Sequence, residues 1–305
     1  MFVQGFFPLK ITVTKKKTEV RDRGFMRTFQ QVSALRSFVR AAREDGKIVG
    51  FVPTMGALHE GHQALIRRAS AECDVVIVSI FVNPIQFIPG EDFDKYPRDL
   101  NNDSNLARAA GAVAIFAPTA QEMYPDGFQT IVDVPALAKR WEGSIRPGHF
   151  RGVATVCAKL FSIVQPHRAY FGQKDFQQLK VIERMTADLS LPLIIVSVPT
   201  VRESDGLAMS SRNSYLSDEE RKEALCLSLA LKQAEQLYTG GERTAEKIRE
   251  AIAAIIAETP SARLDYIAIV NPDTLEPIEE LIGKAVVLLA VRIGQTRLID
   301  NTLLG

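Results

Sequence analysis

Between residues 47 and 199, short apolar runs alternate with segments whose apolar side chains recur at helical spacing. Short apolar runs bounded by turn residues are typical of strands, and helical spacing is typical of amphipathic helices. Strands are predicted at residues 48–52, 75–82, 113–116, 131–134, 168–171 and 193–198. Helices are predicted from residue 59, around 102–110, over 150–164 and from about 174. This alternation predicts a doubly wound parallel sheet covered by helices, which is a Rossmann-like α/β domain.

The pattern changes after Pro199. Two amphipathic helices, around 227–238 and 248–256, are separated by Gly240 and Gly241, and strands at 265–270, 285–291 and 296–300 then follow without helices between them. Helices followed by a meander of strands indicate a small α+β unit. We therefore predict a Rossmann-like domain over residues 26–199 and a small C-terminal α+β lid domain over residues 200–305.

The first 25 residues do not share this organisation. Residues 1–25 are basic and show no clean period, whereas a good helical pattern begins at Met26. Glu19, Asp22 and the scarcity of serine argue against an organellar targeting peptide. We expect residues 1–25 to be an N-terminal extension, either disordered or created by a misplaced start.

The turn from Pro53 to His62 is the stretch that organises the candidate chemistry. An apolar run ends at Pro53, and small residues followed by an amphipathic segment predict a strand, a tight turn and a helix. Gly56 and Gly61 have no Cβ, and a helix start leaves backbone N–H groups free, so the turn can hold a phosphate. His59 and His62 lie three residues apart on one face, where each imidazole can donate a hydrogen bond to phosphate oxygens.

Two other interpretations of this turn stay open at this point. A strand, a glycine turn and a helix occur in many α/β proteins that bind no nucleotide. A zinc-protease motif needs histidines four residues apart, whereas His59 and His62 are three apart and no cysteine lies nearby, so the sequence disfavours a zinc site here.

Composition bounds the class of protein. The chain has 305 residues, 46% hydrophobic residues, 24% charged residues and a formal net charge of +1, so nothing indicates a nucleic-acid partner. No apolar run approaches the roughly 18 residues that a membrane span needs, so no membrane association is expected. Cys73, Cys157 and Cys226 are widely spaced within apolar patterns, which predicts reduced core cysteines and a cytoplasmic location.

Polar residues also follow other predicted strands. Asn83 and Gln86 come just after a strand, at the rim where ligands of open α/β sheets bind, and the amide of Gln86 can hold a carboxylate and a hydroxyl. Arg146 and His149 come immediately before the long buried helix. An ordinary Asn-Pro turn and a solvated loop are the competing interpretations of these two motifs.

Two further motifs favour phosphate binding. Residues 172–175 repeat the strand, turn and helix arrangement and add Lys174, whose ammonium is a compact charge suited to phosphate. Residues 209–213 form a polar stretch with Arg212, which alone could be a capped helix entry. Together with two phosphate-type turns, this stretch is typical of a mobile clamp that closes over a triphosphate.

Five motifs in this order resemble the pantothenate synthetase (pantoate–β-alanine ligase) family of the nucleotidyltransferase superfamily, which is related to class I aminoacyl-tRNA synthetases. The resemblance extends from about Met26 to the C-terminus, and it includes that family's version of the His-x-Gly-His motif. It implies ATP-dependent condensation of (R)-pantoate with β-alanine to pantothenate through a pantoyl adenylate, with release of pyrophosphate and AMP. The motifs that carry it are residues 53–62, 81–87, 146–150, 171–175 and 209–212.

The resemblance also implies which residues act. The catalytic residues would be His62, the proton donor of the family pattern, together with His59, Lys174 and Arg212. Pantoate would be bound by Gln86 and Gln178, and β-alanine by Gln86. Supporting residues would be Asn83, Arg146 and His149. The residues expected to bind ATP are Met55, Gly56, Ala57, Leu58, His59, Glu60, Gly61, His62, Gly172, Gln173, Lys174, Asp175, Val201, Met209, Ser210, Ser211 and Arg212.

A metal and a homodimer are part of the same expectation. The resemblance implies Mg²⁺ on the phosphates of ATP and dimerisation through the first domain. Asp99 and Asp103 are candidate carboxylates, but Asn101 and Asn102 dilute the acidic character of this stretch. Because phosphate oxygens and water can supply most ligands of Mg²⁺, no protein ligand of the metal is predicted.

Two alternatives to a ligase stay open from the sequence. A cytidylyl- or adenylyltransferase would need a second basic patch for a phosphorylated substrate, whereas Asn83 and Gln86 are neutral. A non-catalytic nucleotide-binding module would be expected to have lost His62, Lys174 or Arg212, and all three are present.

Overall fold

The computed structural model describes residues 26–305, so the expectation for residues 1–25 lies outside the described residues. Within the described chain, six parallel strands form one sheet in the order β1-β4-β3-β2-β5-β6. The strands are β1 (Arg27–Phe29), β2 (Val49–Thr54), β3 (Val75–Ile80), β4 (Ala114–Phe116), β5 (Arg168–Gly172) and β6 (Ile194–Val198). Apart from the edge strand β1, this is the strand order of a Rossmann-like domain, and β2 lies at the point where the order reverses.

Helices cover both faces of this sheet. Phe51 packs in a buried cluster with α1, α7 and α8, whereas the next residue, Val52, packs in a cluster with α2 and α3, because successive strand residues point to opposite faces. The helices are α1 (Val32–Glu44), α2 (Glu60–Glu72), α3 (Leu100–Ala110), α4 (Ala120–Met123), α5 (Pro135–Ala138), α6 (Glu142–Ile145), α7 (His149–Val164) and α8 (Phe176–Asp188). Short 3-10 turns at Pro84–Gln86 and Gln173–Asp175 follow β3 and β5.

The C-terminal part contains helices and an antiparallel sheet. A 3-10 turn at Ser211–Tyr215 leads into the helices α9 (Asp218–Glu223), α10 (Leu225–Thr239) and α11 (Ala245–Ala257). The strands β7 (Ala262–Val270), β8 (Ala285–Ile293) and β9 (Thr296–Leu304) pair in that order to form a three-stranded sheet within the described residues. The predicted class, a doubly wound parallel sheet followed by a small α+β unit, is confirmed.

The antiparallel sheet contributes to two cores. Val286 and Leu288 on β8 belong to the cluster that contains α1, α7 and α8, whereas Val287 and Leu289 pack with α10 and α11. The period of two along β8 therefore ties the C-terminal sheet to the first domain on one face and to its own helices on the other. The division at residue 199 stays a prediction.

The N-terminal edge of the sheet differs from the prediction. The helical pattern expected from Met26 begins as strand β1, in which Arg27 pairs with Ala114 of β4, and α1 starts only at Val32. A three-residue strand is too short to show a period in the sequence.

The strand predicted at residues 131–134 is also wrong, since that segment has no regular structure. The backbone N–H of Val132 donates to the hydroxyl of Thr155 on α7 at 3.0 Å, so a side chain takes the place of a strand partner. Pro135 then begins α5.

The burial of the cysteines, predicted from the apolar patterns around them, is confirmed in the described residues. Cys73, Cys157 and Cys226 are buried thiols. None of the helices between residues 26 and 305 combines the length and apolar character that a bilayer span requires.

Candidate active site

A cleft with a volume of about 240 Å³ opens at the carboxyl ends of β2 and β5. Thr54 at the end of β2 and Gly172 at the end of β5 both line it. These strands are neighbours at the point where the strand order reverses, and ligands of open α/β sheets bind in the crevice at that point.

The turn after β2 is fixed by a buried carboxylate. The side chain of Asp103 on α3 accepts hydrogen bonds from the backbone N–H groups of Ala57 at 3.0 Å and Leu58 at 2.7 Å. Gly56 has a φ of +91°, and a Cβ added there would lie 2.9 Å from a carboxylate oxygen of Asp103. The backbone conformation and the close carboxylate both require glycine at this position.

The two imidazoles lie at the start of helix α2, and both rings have the same tautomer. Nδ1 of His59 accepts from the N–H of Gly61 at 3.1 Å, and Nδ1 of His62 accepts from the N–H of His59 at 3.3 Å. Their ring centroids are 4.1 Å apart. Because each Nδ1 is an acceptor, the proton of each neutral ring lies on Nε2, and both rings can donate a hydrogen bond to a ligand.

Burial keeps both rings neutral. Desolvation lowers the pKa of His59 to about 4, and Lys174 adds to the effect. Desolvation likewise lowers the pKa of His62 to about 3, with further contributions from His59 and Lys174. Both pKa values therefore lie well below the ordinary histidine value, and neither ring is protonated near neutral pH. Neutral His62 is a hydrogen-bond donor here, and the sequence could not reveal the burial that makes it so.

The amides after β3 are buried and hydrogen-bonded to one another. The side-chain nitrogen of Asn83 donates to Oε1 of Gln86 at 2.9 Å and to the carbonyl of Gly152 at 3.2 Å. The hydroxyl of Tyr124 donates to Oδ1 of Asn83 at 2.7 Å. Nε2 of Gln86 lies 3.1 Å from the sulfur of Met55. The side chains of Asn83 and Gln86 therefore form one neutral side of the cleft, the amide wall. Hydrogen bonds with Tyr124 and Gly152 fix its orientation.

Arg146 and His149 support this wall. Arg146 donates to both carboxylate oxygens of Glu91, at 2.5 and 2.8 Å, and to Nε2 of His149 at 3.0 Å. Nδ1 of His149 donates to the backbone carbonyl of Gln86 at 2.8 Å. Burial, with Arg146 adding to the effect, lowers the pKa of His149 to about 4, so the ring is neutral and its single proton points at Gln86.

Lys174 is carried by the 3-10 turn that follows β5. Its ammonium lies 3.8 Å from the carboxylate of Asp175. Asn301 on β9 donates to the carbonyls of Gln173 at 2.9 Å and Lys174 at 2.8 Å. The C-terminal sheet therefore holds the backbone of the turn that presents the lysine.

The loop over residues 209–212 completes the rim of the cleft. The N–H of Met209 donates to the carbonyl of Val201 at 3.0 Å, which joins the two ends of the preceding turn. The hydroxyl of Ser210 accepts from the N–H of Arg212 at 3.3 Å and caps the 3-10 turn. The guanidinium of Arg212 pairs with Asp92 at 3.0 Å.

Most residues predicted for the site line this one cleft. Those that do are Met55, His59, Gly61, His62, Asn83, Gln86, Arg146, His149, Gly172, Lys174, Asp175, Gln178, Val201, Met209, Ser210, Ser211 and Arg212.

Five of the predicted ATP-binding residues do not line it. Gly56, Ala57 and Leu58 form the backbone of the turn that Asp103 holds. Glu60 pairs with Arg67 on the surface of α2. The fifth, residue 173, contributes a backbone carbonyl to Asn301. The sequence motif therefore mixes residues that face the cleft with residues that shape it.

Several residues of the site were missed. Tyr96 lines the cleft, and Glu91, Tyr124 and Asn301 hold its groups from behind. No local sequence pattern predicts these contacts, because they join residues that are distant along the chain. Asp103 was considered only as a metal carboxylate, but its position on a buried helical stripe with small apolar residues is a local signal of a specific partner.

A larger cavity, about 580 Å³, adjoins the cleft between α6, β8 and β9. It shares Arg146, His149, Lys174 and Arg212 with the cleft but is not lined by His59 or His62. The smaller cleft therefore holds the chemically distinctive groups, and the larger cavity is the space beside it under the C-terminal sheet.

The described residues offer no ready-made metal cage. Among residues 26–305, no group of three or more His, Cys, Asp or Glu side chains is arranged to hold a metal ion. Asp99 accepts from the N–H of Asn102 at 2.9 Å and caps α3, while Asp103 is engaged by the turn after β2. Both carboxylates considered from the sequence therefore have structural partners.

Comparison with known proteins identifies the family. Residues 27–303 match the family model described as pantoate-beta-alanine ligase. The chain belongs to this family. A pantothenate synthetase of this family from Pelotomaculum thermopropionicum is 55% identical over 274 residues, which cover 90% of this chain and 97% of that protein.

Solved structures agree with this family. The crystal structure of pantothenate synthetase from Thermus thermophilus superposes with a TM-score of 0.87 at 50% identity, covering 91% of this chain and 99% of that one. The pantoate-beta-alanine ligase from Francisella tularensis, solved with beta-gamma ATP and beta-alanine, gives a TM-score of 0.76 at 34% identity, covering 91% and 97%. These matches confirm the resemblance and the fold class predicted from the sequence.

Proposed function

We propose that this cleft joins pantoate to β-alanine in an ATP-dependent ligation that passes through pantoyl adenylate. In the first step, a carboxylate oxygen of pantoate attacks the α-phosphorus of ATP, and pyrophosphate leaves with the electrons of the broken P–O bond. In the second step, the neutral amine of β-alanine attacks the acyl carbon, the bond to AMP breaks, and the amine loses a proton as the amide forms. The products are pantothenate, AMP and pyrophosphate.

The first step brings a carboxylate to a phosphate of like charge, so the site must neutralise their repulsion. Lys174 and Arg212 provide two cations at the rim of the cleft. The Nε2–H groups of His59 and His62 provide two neutral donors at the start of a helix, where the dipole also favours negative charge. Fixed donors of this kind stabilise charge that grows in the transition state.

His62 acts in this scheme first as a hydrogen-bond donor. Its pKa of about 3 keeps the ring neutral before ATP binds. Phosphate charge beside Nε2 favours the protonated ring and raises that pKa, so the proton-donor role of the family pattern depends on the bound nucleotide.

The remaining ATP contacts are assigned to groups at the same rim. Gly172, Asp175 and Val201 border the cleft on the side of β5, and Met209, Ser210 and Ser211 belong to the loop beside Arg212. Closure of this loop would bring two hydroxyls and a guanidinium to the phosphates.

Pantoate is assigned to the amide wall. Gln86 and Gln178 line the cleft and can bind the carboxylate and hydroxyl of pantoate, and Gln86 also reaches β-alanine. Asn83, Arg146 and His149 support Gln86 through hydrogen bonds. A neutral wall suits a hydroxy acid better than the phosphorylated substrate of a nucleotidyltransferase.

One observation carries the proposal. Two neutral imidazole donors, a lysine and an arginine line the same cleft as a buried amide wall, at the switch point of the sheet. Phosphate activation and hydroxy-acid binding are thereby available within one small volume, which an adenylating ligase needs.

Mg²⁺ is proposed as the companion of ATP. The site fits an ion bound mainly by phosphate oxygens and water, because Asp99 and Asp103 are engaged elsewhere while the carboxylate of Asp175 lines the cleft. When bound, the ion would neutralise phosphate charge.

A cytoplasmic location and a homodimer formed through residues 26–199 complete the proposal. The buried thiols Cys73, Cys157 and Cys226 support a reducing compartment. The homodimer rests on the family resemblance, and sedimentation of the purified protein tests it.

The function is tested by following pyrophosphate. Wild-type protein, ATP and Mg²⁺ should release pyrophosphate when pantoate is added without β-alanine, and β-alanine should then yield AMP and pantothenate. Absence of pantoate-dependent pyrophosphate would contradict the assignment.

A further inference from the structure

Tyr124 lies outside the lining of the cleft, yet it is connected to the substrate wall by hydrogen bonds. Its hydroxyl donates to Oδ1 of Asn83 at 2.7 Å, and the nitrogen of Asn83 donates to Oε1 of Gln86 at 2.9 Å. The Tyr124 ring packs against Phe81 and Phe128, with centroid distances of 6.1 and 5.0 Å. The hydroxyl is thus held at the end of a three-residue chain.

The carbonyl of Gly152 decides the direction of this chain. A backbone carbonyl can only accept, so the atom of Asn83 that faces it at 3.2 Å must be the amide nitrogen. Oδ1 of Asn83 therefore faces Tyr124, whose hydroxyl must donate. The second N–H of Asn83 then points at Gln86, which must present its oxygen to Asn83.

Because Oε1 of Gln86 accepts from Asn83, the amide nitrogen of Gln86 remains for the substrate. Its amide nitrogen points to the other side, 3.1 Å from the sulfur of Met55. A thioether is a weak acceptor, so a substrate oxygen can replace it at little cost. Gln86 therefore offers N–H donors to the cleft, which match a carboxylate or hydroxyl oxygen of pantoate.

Close packing against α7 keeps Asn83 and Gln86 in these positions. A Cβ on Gly152 would lie 2.4 Å from the carbonyl oxygen of Ile85 and 2.6 Å from Cα of Gln86. The turn that carries Gln86 therefore rests directly on the backbone of α7, and Asn83 and Gly152 stay within hydrogen-bond distance.

We propose that Tyr124 is a positioning residue that, through Asn83, holds the amide of Gln86 as a donor toward the oxygen atoms of pantoate. The inference rests on the proposed function, because it names the way in which the same site recognises its hydroxy acid. Burial raises the pKa of the Tyr124 hydroxyl, so the proton that starts the chain is present throughout the neutral range.

The test is Tyr124→Phe, which removes the hydroxyl and keeps the ring contacts. Oδ1 of Asn83 then loses its donor, so the carbonyl of Gly152 alone orients Asn83 and the amide of Gln86 is held less firmly. A lost buried hydrogen bond of this kind corresponds to roughly a tenfold change. We expect the KM for pantoate to rise roughly tenfold in pyrophosphate release, with the KM for ATP unchanged. Tyr238→Phe removes a tyrosine hydroxyl from α10, outside the cleft, and should match wild type.

A double-mutant cycle separates positioning from general stability. Combined with Gln86→Ala, Tyr124→Phe should raise the KM for pantoate no further, because the group that it positions is gone. The inference is overturned if Tyr124→Phe raises the KM for pantoate equally in the wild-type and Gln86→Ala backgrounds. It is also overturned if Tyr124→Phe leaves this KM at the wild-type value, whether or not the melting temperature changes.

Asn83→Asp is a second variant, since a carboxylate cannot donate to Gly152 or Gln86. We expect it to raise the KM for pantoate at least as much as Tyr124→Phe does, and an unchanged KM again overturns the inference. Wild-type protein separates the two levels of the proposal. If wild type releases no pantoate-dependent pyrophosphate, the proposed function fails, whereas active wild type with an unaltered Tyr124→Phe variant contradicts only the role of Tyr124.

Discussion

The two sides of the cleft are built in different ways. On the amide side, Asn83, Gln86 and His149 are buried, and their polar atoms are joined in hydrogen-bond chains of 2.7 to 3.2 Å. On the phosphate side, the ammonium of Lys174 is 3.8 Å from Asp175, and Arg212 contacts Asp92 through one 3.0 Å pair. The amide side is a closed network of neutral side chains backed by the Arg146–Glu91 ion pair, and the other side is a set of cations with exchangeable partners.

The ligands proposed for the two sides account for this difference. A neutral hydroxy-acid pocket gains specificity when its donors are fixed in advance, because rotation of an amide would exchange a donor for an acceptor. Cations that meet a triphosphate must give up their own partners first, so strong ion pairs in the empty site would weaken binding. Long or single-contact pairs leave Lys174 and Arg212 available for phosphate oxygens.

Removing the lysine should break the phosphate side most severely. We expect Lys174→Ala to slow adenylation by on the order of 10²–10³-fold, as for loss of one transition-state contact, while the melting temperature stays close to that of wild type. Pantoate-dependent pyrophosphate release in a single turnover measures this rate. Lys180→Ala removes a lysine that pairs with Glu183 and Asp273 outside the cleft, and it should leave the rate unchanged. An unaltered rate in Lys174→Ala would remove the lysine from the mechanism.

Acid should test the neutrality of the buried rings. His59 and His149 have pKa values lowered to about 4, and His62 to about 3, whereas an unfolded chain protonates histidine near 6.5. Below pH 6.5 the unfolded state therefore binds more protons than the folded state, and stability falls as pH is lowered toward 4. Each ring contributes up to about 1.4 kcal/mol per pH unit in that window.

Urea unfolding at a series of pH values measures this slope. His149→Asn should make the slope shallower, because it removes one of the three rings while keeping a donor to Gln86. A slope that is the same with and without His149 would show that the ring is not held neutral by burial.

Gly152→Ala should disturb the amide side. The added Cβ would lie 2.4 Å from the carbonyl oxygen of Ile85, so the turn that carries Gln86 must move. We expect a loss of about 1–3 kcal/mol in unfolding free energy, typical of overpacking, and a higher KM for pantoate with the KM for ATP unchanged. Ser162→Ala on the exposed face of the same helix is the control. Equal effects on the two KM values would mean that the sides of the cleft are not separable in this way.

The smallest effect is expected for Asp99→Ala. Loss of this helix cap should cost about 1 kcal/mol of stability. Because Asp99 caps α3 through the N–H of Asn102, the adenylation rate and its dependence on Mg²⁺ should not change. A weaker response to Mg²⁺ in this variant would instead indicate that Asp99 takes part in binding the metal.

Much of the fold could be predicted, because long segments with a clear hydrophobic pattern can be recognised in the sequence. The buried stripe of α7 has a clear helical period, whereas β2 and β3 are continuous apolar runs, and the alternation of the two kinds of segment predicts the parallel sheet. Strand β1 has only three residues and acquires its structure from pairing with β4, which no local pattern records. Residues 131–134 show the reverse case, where an apolar run lies along α7 and its N–H at Val132 is satisfied by Thr155.

The residues of the site likewise divide into those that the local sequence predicts and those that it does not. Groups that follow strands, such as His59, Gln86 and Lys174, could be predicted because parallel strands present their carboxyl ends on one edge. The groups that hold them, Tyr124 and Asn301, come from distant segments and act through single contacts. Burial, which turns the histidines into neutral donors, is likewise a property of the packed molecule.

The central claim is that pantoate is activated as an adenylate, and the path of one oxygen tests it most directly. Pantoate labelled with ¹⁸O in its carboxylate is converted with ATP and β-alanine, and the nucleotide and phosphate products are analysed by mass spectrometry. If a pantoate oxygen attacks the α-phosphorus, the AMP released in the amide-forming step carries one ¹⁸O. Unlabelled AMP, or ¹⁸O in inorganic phosphate accompanied by ADP, would contradict the account.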